Sequence, residues 1–404
     1  MGAPLKTALL LTGGGARAAY QVGVLRSLSR AYPDLTFPIL TGVSAGVINA
    51  SLLASSPSNF PDAVEELVKD WEGLTIDDVF HTEFHHLSLK VLSWGLRLIS
   101  GGVRVGSSTH ALVNTSPLRK FLHRALKTED GVLRGIDQNI LSGKLSALGI
   151  ITTSYPTGES VTWIQGKDIV AWEGPSQRGV SAQITIDHIM ASCALPLVFP
   201  AVRLGDEWHG DGGVRLVSPL APAIHLGADR LLAISTLLEP GHCEAELPPE
   251  KYPPPATIIG LLLNSIFLDT LDRDAMELRL ANKLMATHPD RSQLGLHPME
   301  VLLIRPSQDL SAMANEFQSE LRGTFRHIVR GLGTHETNRS DFIATLLFQP
   351  LYIRKVMSVG EQDGNRRLAE IATFLGLPPP PTPAAPAGST AKPVAMESTS
   401  PFII

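Results

Sequence analysis

The chain has 404 residues, 44% of them hydrophobic and 18% charged. That length and apolar content provide a sizeable core and argue against a disordered chain. The formal net charge of -5 lacks the basic excess of a phosphate-backbone binder, so nucleic acid is not an expected partner. The two cysteines, Cys193 and Cys243, make neither a disulfide framework nor a zinc spacing; they read as reduced thiols, and no cofactor or metal is expected.

Taken in chain order, Lys6 to Thr12 is a short apolar run suited to a buried parallel strand. It is too short for the apolar region of a signal peptide. Glycines follow, then a helical pattern with Ala19, Val22, Leu25 and Leu28 on one face. Phe37 to Val43 is a second run, with a helix from about Ala45 to Ala54 behind it. His81 to Leu112, rich in His, Gly and Ser, is a candidate lid. Leu145 to Thr153 and Ser160 to Gln165 read as strands joined by a turn at Pro156 to Gly158. Ile184 to Ala194 reads as a helix ended by Pro196; Arg230 to Thr236 and Glu300 to Arg305 read as strands. Strands alternating with helices imply a mainly parallel central sheet flanked by helices.

A Pro-rich acidic connection, Glu244 to Pro255, leads into a helical pattern from Ala256 to about Met285. Its apolar stretch, Ala256 to Leu268, falls short of the roughly 20 residues that span a bilayer, so no transmembrane helix is expected. Further helices are expected at Glu316–Gly331, Asp341–Phe348 and Tyr352–Leu375. The organisation is therefore read as 6–235 for the main α/β domain, 236–377 for a mostly helical C-terminal extension completing the fold, and 378–404 for a disordered Pro/Ala/Ser/Thr tail.

Three motifs carry chemistry. Gly42-Val43-Ser44-Ala45-Gly46 fits G-x-S-x-G between a strand and a helix. There the serine occupies a tight turn, and the following helix points its N-terminal amides at developing negative charge. Gly13-Gly14-Gly15-Ala16-Arg17 follows the first strand. Such a loop turns several amides toward one point, as an anion or an oxyanion requires. A dinucleotide loop is the rival reading of Gly13, Gly15 and Ala18. It needs an acidic residue at the end of the second strand, and Ser44 stands there instead. Arg17 reads either as a solvated surface arginine or as a residue that braces the loop or meets a phosphate. Asp211-Gly212-Gly213 reads as a loop. Ser44 needs a proton acceptor: His209, beside Asp211, would complete a triad, whereas Asp211 alone would make a dyad. Physical reasoning leaves that choice open. His188 and His225 read as structural.

Together, in this order, these motifs resemble those of the patatin-like phospholipases. The resemblance spans about residues 6 to 235 and includes Met190 to Leu195 with Pro196, Phe199 and Pro200, similar to the family's A-S-x-A-x-P-x-x-F-P segment. Ser340 to Phe348 with Tyr352 resembles a C-terminal extension of bacterial members. One departure is Ala18 in place of the final glycine of the loop, which adds only a methyl group. The resemblance implies a three-layer α/β fold and a Ser44–Asp211 dyad, with Ser44 as nucleophile, Asp211 as base and His209 a bystander. It also implies an oxyanion site around Gly14 and Gly15, a lipid acyl-ester substrate and contact with a membrane surface by a cytoplasmic protein. A transacylase, a soluble-ester esterase and a non-catalytic lipid-binding protein are the alternatives. The helices after residue 256 could serve membrane docking, self-association into a homo-oligomer, or simple coverage of the sheet.

Overall fold

The computed structural model describes residues 5–81, 111, 113–238, 252, 254–267, 270–287, 298–317 and 340–380. Most of the candidate lid from His81 to Leu112, most of the helix expected at Glu316–Gly331, most of the Glu244–Pro255 connection, the tail beyond residue 380 and Cys243 lie outside those residues.

A ten-stranded sheet forms the centre. Strands β1 (Thr7–Leu11) and β2 (Ile39–Val43) sit mid-sheet, with β3 (Ala147–Ser154) beside β2. On the other side of β1 lie β9 (Arg230–Ile234) and the edge strand β10 (Glu300–Ile304). These five strands run parallel. Beyond β3 the sheet changes character. β4 (Ser160–Gly166) returns antiparallel, and β5 (Trp172–Gly174) and β6 (Gln177–Ser181) follow it. β7 (Val202–Leu204) and β8 (Glu207–Asp211) form a hairpin whose second strand pairs antiparallel with the far end of β3. The sheet is thus mainly parallel, as the alternation of elements implies. The half beyond β3 joins it through antiparallel ladders, with β4 and β6 parallel to each other; it arises where the short turn after β3 leaves no room for a crossover helix.

Side chains along β1 divide between two cores, as the period of a strand requires. Leu9 and Leu11 face one layer, Ala8 and Leu10 the other. The first layer holds α1 (Ala19–Ala31), α2 (Ala45–Ser55) and α3 (Phe60–Glu72). The short α4 (Ile76–Val79), α5 (Ser116–Ala125), α6 (Arg134–Leu141) and α7 (Ile186–Ser192) pack against the same core. The second layer receives α8 (Ala221–His225).

The helical pattern expected from Ala256 to about Met285 is two helices, α9 (Pro255–Phe267) and α10 (Thr270–Thr287), the latter placing Leu271 and Ala275 in the second layer. After β10 come α11 (Leu310–Asn315), α12 (Asp341–Leu346), α13 (Pro350–Arg366) and α14 (Leu368–Leu375). The stretch Tyr352–Leu375 is therefore also two helices. The backbone breaks at Arg367, whose guanidinium holds the Leu303 carbonyl of β10 at 2.8 Å. α13 lies against α1 backbone to backbone: a methyl at Gly23 would strike the Met357 carbonyl, and one at Gly360 the Tyr20 carbonyl. No helix among the described residues is long and apolar enough to cross a membrane.

Candidate active site

β2 ends at Val43, opposite Ile151 of β3. The next residue of β3, Thr152, pairs instead with Asp211, the last residue of β8. Two strands running toward each other thus share one edge of β3 and meet end to end. Ser44 leaves the tip of one as Asp211 closes the other. Asp211 is a strand terminus, not the loop residue that Asp-Gly turn chemistry suggests, because the ladder on β3 continues to it.

Ser44 has φ 53° and ψ −134° and opens α2, a conformation that L residues rarely adopt. The turn is tight enough that a methyl at Gly46 would run into the carbonyl of Leu11. α7 and the residues after it clamp the turn. Ser192 Oγ accepts from the Ser44 amide at 3.0 Å and donates to the Ile151 carbonyl at 2.6 Å. The Cys193 thiol, buried and with its pKa raised by that burial, donates to the Ser44 carbonyl at 3.2 Å. Ala194 contributes a carbonyl that accepts from the Asp211 amide at 3.0 Å. Three consecutive residues therefore hold both strand tips.

Ser44 Oγ lies 2.6 Å from Asp211 Oδ2 and donates to it. The other carboxylate oxygen accepts from the Gly213 amide at 2.9 Å. Asp211 is 1% exposed. Burial pushes its pKa up to about 7, against the opposing pull of the Ser44 and Gly213 hydrogen bonds. His209 points its ring elsewhere. Its Nδ1 lies 3.1 Å from Thr152 Oγ1, its Nε2 3.7 Å from Glu207, and Trp163 packs on it edge-on; burial lowers its pKa. His188 accepts from the Thr185 amide at the start of α7, and burial brings its pKa down to about 4. His225 stacks on Trp172.

The glycine loop follows β1 and touches the same turn: a Cβ at Gly13 would lie 3.0 Å from that of Ser44. Gly14 (φ 147°) and Gly15 (φ 58°) occupy backbone conformations that favour glycine. Both loop carbonyls are taken. Gly13 O accepts from Thr236 Oγ1 at 2.7 Å; Gly14 O accepts from the Arg17 amide at 3.2 Å and from Arg17 Nε at 3.3 Å. Because a peptide unit is planar and trans, its N–H points opposite its C=O. The amides of Gly14 and Gly15 therefore face away from these anchors. Arg17 is buried rather than solvated, 3% exposed. Ala16 is buried behind the loop.

Gly15, Ser44 and Asp211 line an apolar cleft holding about 480 Å³ of empty space, its open mouth included. Its walls include Ile48, Leu118, Phe199, Leu346 and Phe348. A larger cavity, about 820 Å³, lies between Phe37, Leu53, Phe60 and Lys144 and contains none of the three motifs. Sequence reasoning named Ser44, Asp211 and the glycine loop, and the fold brings them together. It missed Thr236 and Thr345, assigned no role to the Ser192–Cys193 clamp, and gave no part to Asp341. Ser192, Cys193, Asp341 and Thr345 lie in segments the resemblance marks, but the partners that give them a part come from distant segments and leave no local signal.

A family model for patatin-like phospholipase matches residues 9–224. Among solved structures, VipD from Legionella pneumophila is similar at 15% identity, over 75% of this chain and 62% of that one, with a TM-score of 0.31. The chain thus spans less than two thirds of that protein's length. No curated protein matches the sequence.

Proposed function

This chain belongs to the patatin-like phospholipase family, and on that premise we propose that it hydrolyses lipid acyl esters with a Ser44–Asp211 dyad. The observation that carries the reading is the direct 2.6 Å hydrogen bond from Ser44 Oγ to a carboxylate buried to 1% exposure. An ordinary carboxylate is a poor base toward a serine hydroxyl. One whose pKa stands near 7 is better matched to the transfer and still ionised above neutrality.

In the proposed reaction Ser44 Oγ attacks the ester carbonyl carbon as its proton passes to Asp211 Oδ2. The carbonyl oxygen gains the negative charge, and the amides of Gly14 and Gly15, turned from their anchored carbonyls, donate to it. The N-terminus of α2 adds favourable potential at the same point. Collapse breaks the bond to the alcohol, which leaves with the proton from Asp211. The acyl group remains on Ser44, its chain along the cleft walls Ile48, Phe199 and Phe348. Water, deprotonated by Asp211, then attacks the acyl-enzyme; collapse breaks the bond to Ser44 Oγ, which takes that proton back from Asp211, and the fatty acid is released. Gly42 and Gly46 admit the turn, and Gly212 and Gly213 hold the base. Lipid at a membrane surface is the proposed substrate, since the cleft wall is apolar and, among the described residues, carries no charged side chain apart from Asp211.

The test is turnover of a short-chain nitrophenyl ester and of a phospholipid by wild type, Ser44→Ala, Asp211→Asn and His209→Ala. Loss in the first two variants with activity kept in the third is expected. Loss in His209→Ala without loss of fold would replace the dyad by a triad. An inactive wild type on both substrates would remove the hydrolase reading.

A further inference from the structure

The glycine loop is held from a part of the chain far outside the family match. Besides holding Gly14 O, the Arg17 guanidinium reaches three side chains of the C-terminal region. Nη1 donates to Ser311 Oγ at 3.2 Å and meets Asp341 Oδ1 at 3.3 Å; Nη2 donates to Thr345 Oγ1 at 3.3 Å. Ser311 Oγ also donates to Asp341 Oδ1. The Thr345 hydroxyl in turn donates to the Asp341 carbonyl at 2.8 Å. The carboxylate is 13% exposed and the guanidinium 3%, so the pair acts in a medium where a charge-assisted bond is firm. Thr345 also backs the loop directly, since a methyl at Gly15 would strike its carbonyl.

The geometry is a chain of fixed parts. Asp341, Ser311 and Thr345 set the guanidinium, the guanidinium sets the Gly14 carbonyl, and the planar peptide sets the Gly15 amide on its other side. A positively charged side chain at the start of a helix is otherwise mildly unfavourable; here Asp341 provides its counter-charge. We infer that Asp341, through Arg17, is a positioning residue for the oxyanion amide of Gly15, so that the C-terminal region completes the site electrostatically as well as sterically. This inference rests on the hydrolase reading above.

A positioned oxyanion donor matters when the carbonyl becomes tetrahedral, not when the ester merely binds. The isosteric Asp341→Asn keeps volume and removes the counter-charge; Arg17→Lys keeps the charge and removes the fork; Thr345→Val is a third, milder probe. For each, ester turnover is measured together with the inhibition constant of an alkyl trifluoromethyl ketone, which adds Ser44 and mimics the tetrahedral species. The expected result is a fall in kcat of about tenfold to a hundredfold for Arg17→Lys and less for the other two. The ketone's inhibition constant should rise in the same proportion across the series, with KM little changed and the folded state retained at the assay temperature despite a lower melting temperature. A fall in kcat that leaves ketone affinity at the wild-type level, or an effect confined to KM, overturns the inference. So does wild-type behaviour in all three variants. A wild type that neither turns over ester nor binds the ketone fails differently: it removes the hydrolase reading itself, and this inference with it.

Discussion

The two strand tips that meet on β3 present their side chains by opposite means. At the end of β2, Ser44 is held with φ 53°, pinned at its amide by Ser192 and at its carbonyl by Cys193. At the end of β8, Asp211 has φ −52° and ψ 130°, an ordinary conformation, and its special character is electrostatic: burial raises its pKa to about 7. In the proposed mechanism the parallel half of the sheet contributes a nucleophile made available by backbone geometry, and the half that joins β3 antiparallel contributes a base made competent by desolvation. The difference shows that one site can store its cost in two forms, conformational strain at one tip and a buried ionisable group at the other.

The comparison can be broken most decisively by removing either side chain. Ser44→Ala and Asp211→Asn are each expected to lower kcat by about 10⁴-fold or more, with the double variant no worse than the worse single, as in groups that act as one unit. Multiplying losses in steady-state assays would mean that the tips act separately. The next effect belongs to the strained tip: Gly46→Ala drives a methyl into the Leu11 carbonyl and should cost about 3 kcal/mol or more in denaturant unfolding, because backbone cannot move aside cheaply.

The buried tip makes the opposite prediction. The Asp211 pKa is raised from 3.8 to about 7, so folding favours its neutral form. The unfolded chain releases the proton first, and wild-type stability contributed by this group is lost as pH rises from about 4 to about 7. Asp211→Asn should therefore match wild type near pH 4 and exceed it above neutrality, by on the order of 4 kcal/mol at most. A variant less stable than wild type at about pH 9 would sink the buried-base account. The same ionisation predicts that wild-type kcat/KM rises with pH and levels above about 7. Smaller still, Ser192→Ala should cost about 1–3 kcal/mol, since it leaves the Ser44 amide and the Ile151 carbonyl without their shared partner. His209→Gln should change turnover least, by less than about threefold, with a stability loss of roughly 1 kcal/mol for the bond to Thr152.

These contrasts also explain what could be read from the sequence. The three motifs are visible because glycines at Gly13–Gly15, Gly42, Gly46, Gly212 and Gly213 answer local backbone needs, and local needs leave local signals. The continuous apolar runs of β1, β2, β3 and β9 mark buried strands for the same reason. The antiparallel half is far less legible: β5 and β7 have three residues each and are only partly buried, so neither length nor alternation distinguishes them. That β8 should dock on the overhang of β3 is a non-local fact, and without it Asp211 looks like a turn residue. The residues alone leave the choice between His209 and Asp211 open and only the resemblance favours Asp211, since the fold that turns His209 toward Thr152 has no sequence mark. Helix α3 is a different case. Ala63, Val64, Leu67, Val68 and Trp71 are spaced along one buried face and Asn59 caps its first turn, a signal that is local and readable although it carries no chemistry.

The glycine-to-backbone seam between α1 and α13, described above as packing, also sets an order of events in synthesis. The elbow, the glycine loop and Asp211 all emerge from the ribosome long before Thr345, Phe348 and α13. Until they arrive, the apolar face of α1 around Gly23 has no cover, and the cleft beside Ser44 lacks the wall formed by Leu346 and Phe348. A nascent chain in that condition exposes core to its surroundings and relies on late segments to close it. Vectorial synthesis thus delivers Ser44 early and the finished cleft late, which ties any reactivity of the proposed site to emergence of the segment that carries Leu346, Phe348 and α13.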